Sequence, residues 1–342
     1  MTAAPRDPGR LMQLGMGFWP AKTLLSAVEL DVFTVLGDTQ LRKDALSEAL
    51  GLHPRAVDDF LDSLVALELL DRDGEGAEAV YRNTADTAHF LDKAKASYIG
   101  GFFEMANARL YPFWGDLTEA LKTGRPQNEM KHGGAGMFEE LYRSPERLEQ
   151  FMQAMAGISL PNFEAFAEAF DFSGYRTMCD VGGATGQLSI CVARQHPHLS
   201  FRTCDLPAVE PIAQRAIAAA SLTERIETAS VDIFSEPLPA ADVITMGMIL
   251  HDWNLEKKMH LIRGAYDALP AGGAFVAIEN LIDDQRRSNV FGLMMSLNML
   301  VEFGDAFDFT GRDFDRWCRE VGFTRTEVIP LRGPASAAVA YK

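Results

Sequence analysis

Asp180-Val-Gly-Gly-Ala-Thr-Gly186 separates a short apolar run, Thr177–Val181, from a segment with helical character, Gln187–Gln195. Glycines let the backbone turn tightly and let a ligand approach where a Cβ would clash, and a helix opening at such a turn offers free N–H groups. Alone, this loop is a weak signal. Asp205, in Cys204-Asp-Leu-Pro207 at the end of the next apolar run, strengthens it. An acid about twenty residues on can accept hydrogen bonds from both hydroxyls of a ribose.

Outward from the loop, short apolar strands alternate with helices at 186–196, 200–204, 209–220, 226–231, 243–246, Leu255–Ala268 and Ala274–Glu279. A repeated βα unit implies a mostly parallel, Rossmann-like sheet with helices on both faces, so the fold class is α/β and ligands bind beyond the strands' C-terminal ends. Asp232-Ile233-Phe234 falls at one such end, where the carboxylate suits an exocyclic amine and the ring suits an adenine face. Ile249-Leu-His-Asp-Trp253 falls at the next. His251 there is titratable near neutrality, with Glu279 and Asp308 as acids able to orient it.

The same glycines also suit a nicotinamide. Short-chain dehydrogenases need Tyr-x-x-x-Lys, and no tyrosine here has a lysine four residues on; Ser189 also stands where a further glycine would extend the loop.

Upstream, 11–36 carries apolar residues at helical spacing and predicts one or two core-facing helices. A short helix from Lys43 to Leu50 ends at Gly51, a second opens at His53-Pro54 and runs to Leu70, and 71–90 holds a glycine-rich turn between short strands. This is a winged-helix order. The second helix carries Asp58, Asp59, Asp62 and Glu68 against Arg55, a charge that repels phosphate, so the unit reads as structural or dimerising. Residues 96–172 are helical and rich in Phe and Met, among them Phe138, Phe151 and Met155, which pack a core or grip a planar ligand. The domains are therefore 1–95, an all-α/winged-helix unit, and 96–342, a cofactor-binding unit with a helical substrate segment at 96–172 and the Rossmann-like core at 173–342.

A chain of 342 residues with formal charge -16 is expected to bind neither nucleic acid nor an anionic membrane. No apolar run is long enough to span a bilayer and 1–13 lacks a signal h-region, so a cytoplasmic protein is expected. Cys179, Cys191, Cys204 and Cys318 are widely spaced in apolar segments and read as buried free thiols; no metal is expected.

Leu250-His-Asp-Trp253, Ala268-Leu-Pro-Ala-Gly-Gly273 and Glu279, with Asp180-Val-Gly-Gly, Asp205-Leu-Pro and Asp232-Ile-Phe, resemble the S-adenosylmethionine-dependent O-methyltransferases of the plant caffeate and acetylserotonin type and their bacterial natural-product relatives. The likeness runs from about Met12 to the C-terminus. It implies a homodimer formed by the N-terminal unit and methylation of a small aromatic molecule, with His251 as general base flanked by Glu279 and Asp308. Gly182, Gly183, Gly186, Asp205, Leu206, Asp232, Ile233, Phe234 and Met248 would hold the cofactor. Phe151, Met155 and Ser159 reproduce the family's F-x-x-x-M-x-x-x-S helix beside it. Phe138, Asp252, Met294, Asn298 and Met299 would face the substrate.

Some positions depart from the pattern. Ala184 replaces a glycine, which a negative φ would tolerate; Gly247 and Met248 stand where relatives carry a basic residue; Asp308 is one methylene shorter than the plant glutamate. A free phenol near pKa 10 and a histidine near 6.5 differ by about 3.5 units, so complete proton transfer would cost on the order of 5 kcal/mol unless carboxylates raise the histidine. Two other readings use the same features: a bacterial relative that binds the cofactor without transferring methyl, as a hydroxylase or decarboxylase, and a winged-helix regulator that senses a ligand.

Overall fold

The computed structural model describes residues 7–95, 97–134 and 141–342. One compact unit ends at Tyr111 and a second begins at Pro112. The segment 97–111 thus packs with the N-terminal unit, whereas the sequence placed the boundary at 95/96.

The N-terminal unit opens with α1 (Gly9–Gly15) and α2 (Phe18–Glu29), followed by a short helix at Val32–Leu36. No residue of α1 is buried, and Leu11, Met12, Leu14, Phe18 and Trp19 are all exposed. The expectation of core-facing helices over 11–36 therefore holds only from Leu25 onward, where Leu25, Ala27, Val28, Val32, Phe33 and Leu36 are buried. Then come β1 (Gln40–Arg42), α3 (Lys43–Ala49), α4 (Pro54–Ala66), β2 (Leu70–Asp73) and β3 (Val80–Asn83), with antiparallel order β1-β3-β2. His53 caps α4 by accepting from the Arg55 N–H. The helix stops at Ala66, short of the expected Leu70, because Glu68 turns left-handed at φ 59° and Leu70 joins the wing. The acids of α4 are used locally: Asp58 pairs with Lys43, Asp59 with Arg55, and Asp62 with Arg72 and the Tyr81 hydroxyl.

The C-terminal unit is built on β4 (Thr177–Val181), β5 (Ser200–Asp205), β6 (Ile226–Ser230), β7 (Val243–Gly247), β8 (Ala274–Glu279), β9 (Arg325–Pro330) and β10 (Ser336–Tyr341). Their order is β6-β5-β4-β7-β8-β10-β9; the first five run parallel and β10 is antiparallel to β8 and β9. Alternate residues feed two cores: Cys179, Val181, Ile244 and Met246 meet Leu261, Phe314 and Trp317, while Met178, Phe201, Val243 and Val276 meet Phe166, Leu188 and Ile190. Burial on both faces explains the continuous apolar strands.

Its longer helices are α5 (Pro145–Ala169), α6 (Gln187–Gln195), α7 (Glu210–Ala219), α8 (Leu255–Ala268), α9 (Val290–Phe303) and α10 (Gly311–Val321). All four cysteines are free and buried. Among the described residues no helix is long and apolar enough to cross a membrane.

The chain moves from β4 outward through β5 and β6, then returns to β7 on the other side of β4. The loops after β4 and β7 therefore diverge from a topological switch point, which opens the crevice for a ligand. The first helix beyond it, α6, is fixed at its far end by Arg225, whose guanidinium donates to the carbonyls of Ala193, His196 and Leu199 at 2.7, 2.6 and 2.8 Å. These carbonyls lie at and beyond the helix C-terminus, where a cation also meets the negative end of the dipole. Arg225→Met should therefore lower unfolding free energy by about 2 kcal/mol, read as a shift in urea midpoint at unchanged slope.

Candidate active site

The glycine loop adopts the geometry its residue types allow. Gly182 and Gly186 have φ of 67° and 73°. A Cβ on Gly182 would meet the Ile249 Cδ1 at 2.4 Å, and one on Gly183 would meet the Thr203 Oγ1 at 2.1 Å and the Asp180 Oδ2 at 2.9 Å. Ala184 has φ 49°, so the negative φ that would make its methyl harmless is not the one adopted. Its amide explains why: the Ala184 N–H donates to the Asp205 Oδ2 at 2.9 Å, and the Leu206 N–H donates to Oδ1 at 2.8 Å. Asp205 is thereby aimed across the loop, with lone pairs left on both oxygens for a diol. Burial raises its carboxyl against these two backbone hydrogen bonds.

Asp180 is buried; its Oδ1 accepts from the Thr245 hydroxyl at 2.8 Å and its Oδ2 has no partner among the described residues. Burial pushes it up to about 7 against the Thr245 bond. The Thr185 hydroxyl is likewise buried and unpartnered among the described residues. Orphaned polar atoms around a loop with a free-lone-pair carboxylate fit a polar, nucleoside-bearing cofactor. Phe151, Met155 and Ser159 lie at four-residue spacing on α5, half-buried, and Phe151 packs with Ala184 against Leu148, Met152, Val209 and Ile212.

Asp232 is exposed and mainly serves its own turn: Oδ1 accepts from the Phe234 N–H and Oδ2 from the Ser235 hydroxyl, which hold it below the usual carboxylate range. Ile233 and Phe234 are half-buried, and the Phe234 ring stands edge-on to Trp253 at 4.7 Å. Met248, left-handed at φ 56°, accepts from the Asn280 amide through its sulfur.

The titratable centre lies past β7 and β8. Leu250–Asp252 form one helical turn that buries His251. Its Nε2 is 3.3 Å from the Asp252 Oδ1, and its Nδ1 is 3.5 Å from the Asp308 Oδ1, close enough for charge attraction but not aligned as a hydrogen bond. Glu279 holds the turn by accepting from the Leu250 N–H at 2.9 Å. His251, Glu279 and Asp308 bring ligand atoms within 4.8 Å of one another. Burial alone would lower His251, yet Asp252, Glu279 and Asp308 outweigh it and carry the imidazole up to about 10. Burial pushes Asp252 up to about 6 and Glu279 up to about 7, each opposed by His251.

Met294 and Asn298 share a face of α9, while Met299 lies about 140° away from Met294 at 3.6 residues per turn. Met294 is exposed and Met299 is buried. The Asn298 Oδ1 accepts from the Trp114 indole at 2.8 Å. Phe138 lies outside the described residues.

Sequence reasoning gave no role to two residues of this centre. Tyr142 sits within the field of Asp205 and Asp252, and burial chiefly drives its phenol upward. Lys258 is wholly buried on α8 with Leu261, Ile262 and Ala265, a lysine on an apolar face, and that spacing was the available signal.

Such a crevice, with a glycine loop and the Asp205 carboxylate on one side and a carboxylate-flanked histidine on the other, defines a cofactor-dependent group-transfer site. The chain belongs to the O-methyltransferase family: residues 114–324 match the O-methyltransferase domain and residues 12–93 the O-methyltransferase dimerisation domain. It is 39% identical over 337 residues, 98% of this chain and 97% of the relative, to the tetracenomycin polyketide synthesis 8-O-methyl transferase TcmO of Streptomyces glaucescens. It is 35% identical to the 3-hydroxy-5-methyl-1-naphthoate 3-O-methyltransferase of Streptomyces sahachiroi, across 97% of this chain and 94% of that one. The human N-acetylserotonin methyltransferase, solved in complex with SAM, superposes with a TM-score of 0.91 at 29% identity, covering 100% of this chain and 99% of that chain. The protein is therefore an S-adenosylmethionine-dependent O-methyltransferase.

Because Thr203 is buried and close, Gly183→Ala should cost about 1–3 kcal/mol of stability and weaken S-adenosylhomocysteine binding by calorimetry. Adding Thr203→Ala removes the clashing hydroxyl and should recover part of both losses.

Proposed function

We propose that the enzyme methylates a phenolic hydroxyl of a flat aromatic molecule, with His251 as the general base. The observation that carries this reading is the buried imidazole held between Asp252 and Asp308 beside the cofactor crevice. When bound, S-adenosylmethionine supplies an electrophilic methyl group on a sulfonium sulfur. The chain's task is to orient an oxygen nucleophile and receive its proton, and orientation alone is worth about 7 to 11 kcal/mol.

The carboxylates change the proton balance. A histidine raised to about 10 matches a phenol near 10, so the mismatch of about 3.5 units that an ordinary imidazole would meet disappears. An aliphatic alcohol remains far out of reach. The opposing effect is scarcity: at neutral pH most His251 is protonated, and the neutral base grows about tenfold per pH unit below its pKa.

The flat-substrate reading rests on Met294 and the Asn298 amide on one face of α9, and on the two Streptomyces relatives, whose names specify a polyketide and a naphthoate acceptor. Homodimer formation through the N-terminal unit is supported by the dimerisation-domain match and by exposed Leu11, Met12, Leu14, Phe18 and Trp19 within or beside it. Asp205 would hold the ribose and Asp180 the adjoining polar atoms of the cofactor.

A screen of phenols, naphthols and polyketide cores for S-adenosylhomocysteine release should find turnover with phenolic acceptors. His251→Gln should lower kcat by roughly 10² or more while leaving cofactor affinity nearly unchanged, and full activity in that variant would remove His251 from the mechanism. For the wild type with a weakly acidic phenol, log kcat/KM should climb with a slope near one from about pH 7 to pH 9, and a flat profile there would contradict a raised histidine.

A further inference from the structure

His251, Glu279 and Asp308 are buried, at 5%, 1% and 2% exposure. The His251 Nδ1, the Glu279 Oε2 and both Asp308 carboxylate oxygens have no hydrogen-bond partner among the described residues. Buried polar atoms left in this state point to a ligand. Each of the three residues brings one donor atom within 4.8 Å of the other two, and the His251 Nδ1 and Asp308 Oδ1 are 3.5 Å apart. Two donors on a tetrahedral zinc ion, each at about 2.0–2.2 Å, stand roughly 3.4 Å from one another. One pair already has that spacing. The widest separation exceeds it by about 1.4 Å, which a small side-chain rotation closes.

The groups behind these donors suit the same ligand. The Asp252 Oδ1 lies 3.3 Å from Nε2, on the other side of the ring, where a carboxylate commonly orients a metal-bound histidine. The Glu279 Oε1 accepts from the Leu250 N–H at 2.9 Å, which fixes the carboxylate and leaves Oε2 to coordinate. The Asp308 N–H donates to the Ser296 hydroxyl at 3.2 Å and anchors the third donor.

We propose that the His251 Nδ1, the Glu279 Oε2 and one Asp308 oxygen form an inhibitory zinc site. An imidazole with two carboxylates suits zinc and leaves a fourth position for water, whereas magnesium and calcium favour a larger, all-oxygen shell. On binding, a metal–nitrogen bond forms at Nδ1 and any proton there passes to solvent. The remaining ring proton sits on Nε2, facing Asp252. An imidazole metallated at one nitrogen and protonated at the other has no lone pair with which to take the proton of an acceptor hydroxyl. Zinc binding and base catalysis therefore exclude each other. The loss of turnover rests on His251 being the base; the binding does not.

Zinc sulfate added to the chelator-treated full chain should leave about one zinc per chain after gel filtration and lower methyl transfer to a phenolic acceptor roughly tenfold or more, with recovery on adding EDTA. Magnesium chloride in excess should do neither. X-ray absorption of the zinc-loaded wild type should show nitrogen and oxygen neighbours at about 2.0–2.2 Å with one imidazole among them. By calorimetry, His251→Gln, Glu279→Gln and Asp308→Asn should each bind zinc roughly tenfold or more weakly, with circular dichroism checking the fold. No retained zinc, sulfur or a second imidazole in its shell, equal inhibition by magnesium, or wild-type affinity in a folded variant overturns the proposal. The absorption measurement decides it even where a variant does not fold. Zinc held in the predicted shell with undiminished turnover upholds the site and instead overturns His251 as the base.

Discussion

Buried charge is the constraint around which the catalytic half of this molecule is arranged. Asp252, Glu279, Asp308, His251 and Lys258 lie within one desolvated cluster, and no one of them is stable there alone. Removing any single member leaves an uncompensated charge, which is more damaging than the pairing is stabilising. The cluster is therefore held by elements that do not yield easily: two adjacent parallel strands, the turn that Glu279 fastens through the Leu250 N–H, and the Ser296 hydroxyl that accepts from the Asp308 N–H. The low dielectric that makes the cluster expensive also makes its field strong.

The sheet converts that local demand into a site. β4, β5, β7 and β8 end on one edge, and each delivers a chemically distinct group there: the glycine loop, Asp205, His251 and Glu279. The register fixes their spacing, with Asp180 beside Thr203 and Gly247 beside Ile278. The glycine loop and the His251 turn meet where Ile249 packs over Gly182, so the two loops cannot move independently without opening a gap.

Much of this was legible because it is periodic or chemically unusual. Apolar strands at regular spacing marked β4 to β8, and acids at strand ends marked Asp205, Asp232 and Glu279. What was not legible has physical reasons. β10 is Ser-Ala-Ala-Val-Ala-Tyr, whose alanines carry little strand propensity; it is placed by antiparallel pairing with both β8 and β9, a long-range choice local sequence does not encode. The exposure of Leu11, Leu14 and Trp19 could not be told from burial, since helical spacing is the same whether a stripe meets its own core or another surface. The contact of Asp252 with Nε2 of His251 was not legible either, since it needs the tight turn at Leu250–Asp252 to form. Lys258 was hidden by the habit of reading lysine as solvated.

Backbone strain follows the same map. Gly182, Ala184, Gly186 and Met248 are all left-handed, and all lie in the two loops that leave the switch point. For alanine and methionine this costs about 1–2 kcal/mol each. A free surface loop would relax. Here the Asp205 carboxylate pulls the Ala184 amide inward, and the Met248 N–H donates to the Ile278 carbonyl at 2.9 Å, so the sheet edge itself imposes both conformations. Such strain persists only where surrounding structure over-determines it. Its location ties stability to function: the bonds that hold Ala184 and Met248 out of their relaxed basins are the bonds that aim Asp205 and place the His251 turn. The parallel sheet, buried on both faces, is what makes those bonds strong enough to prevail.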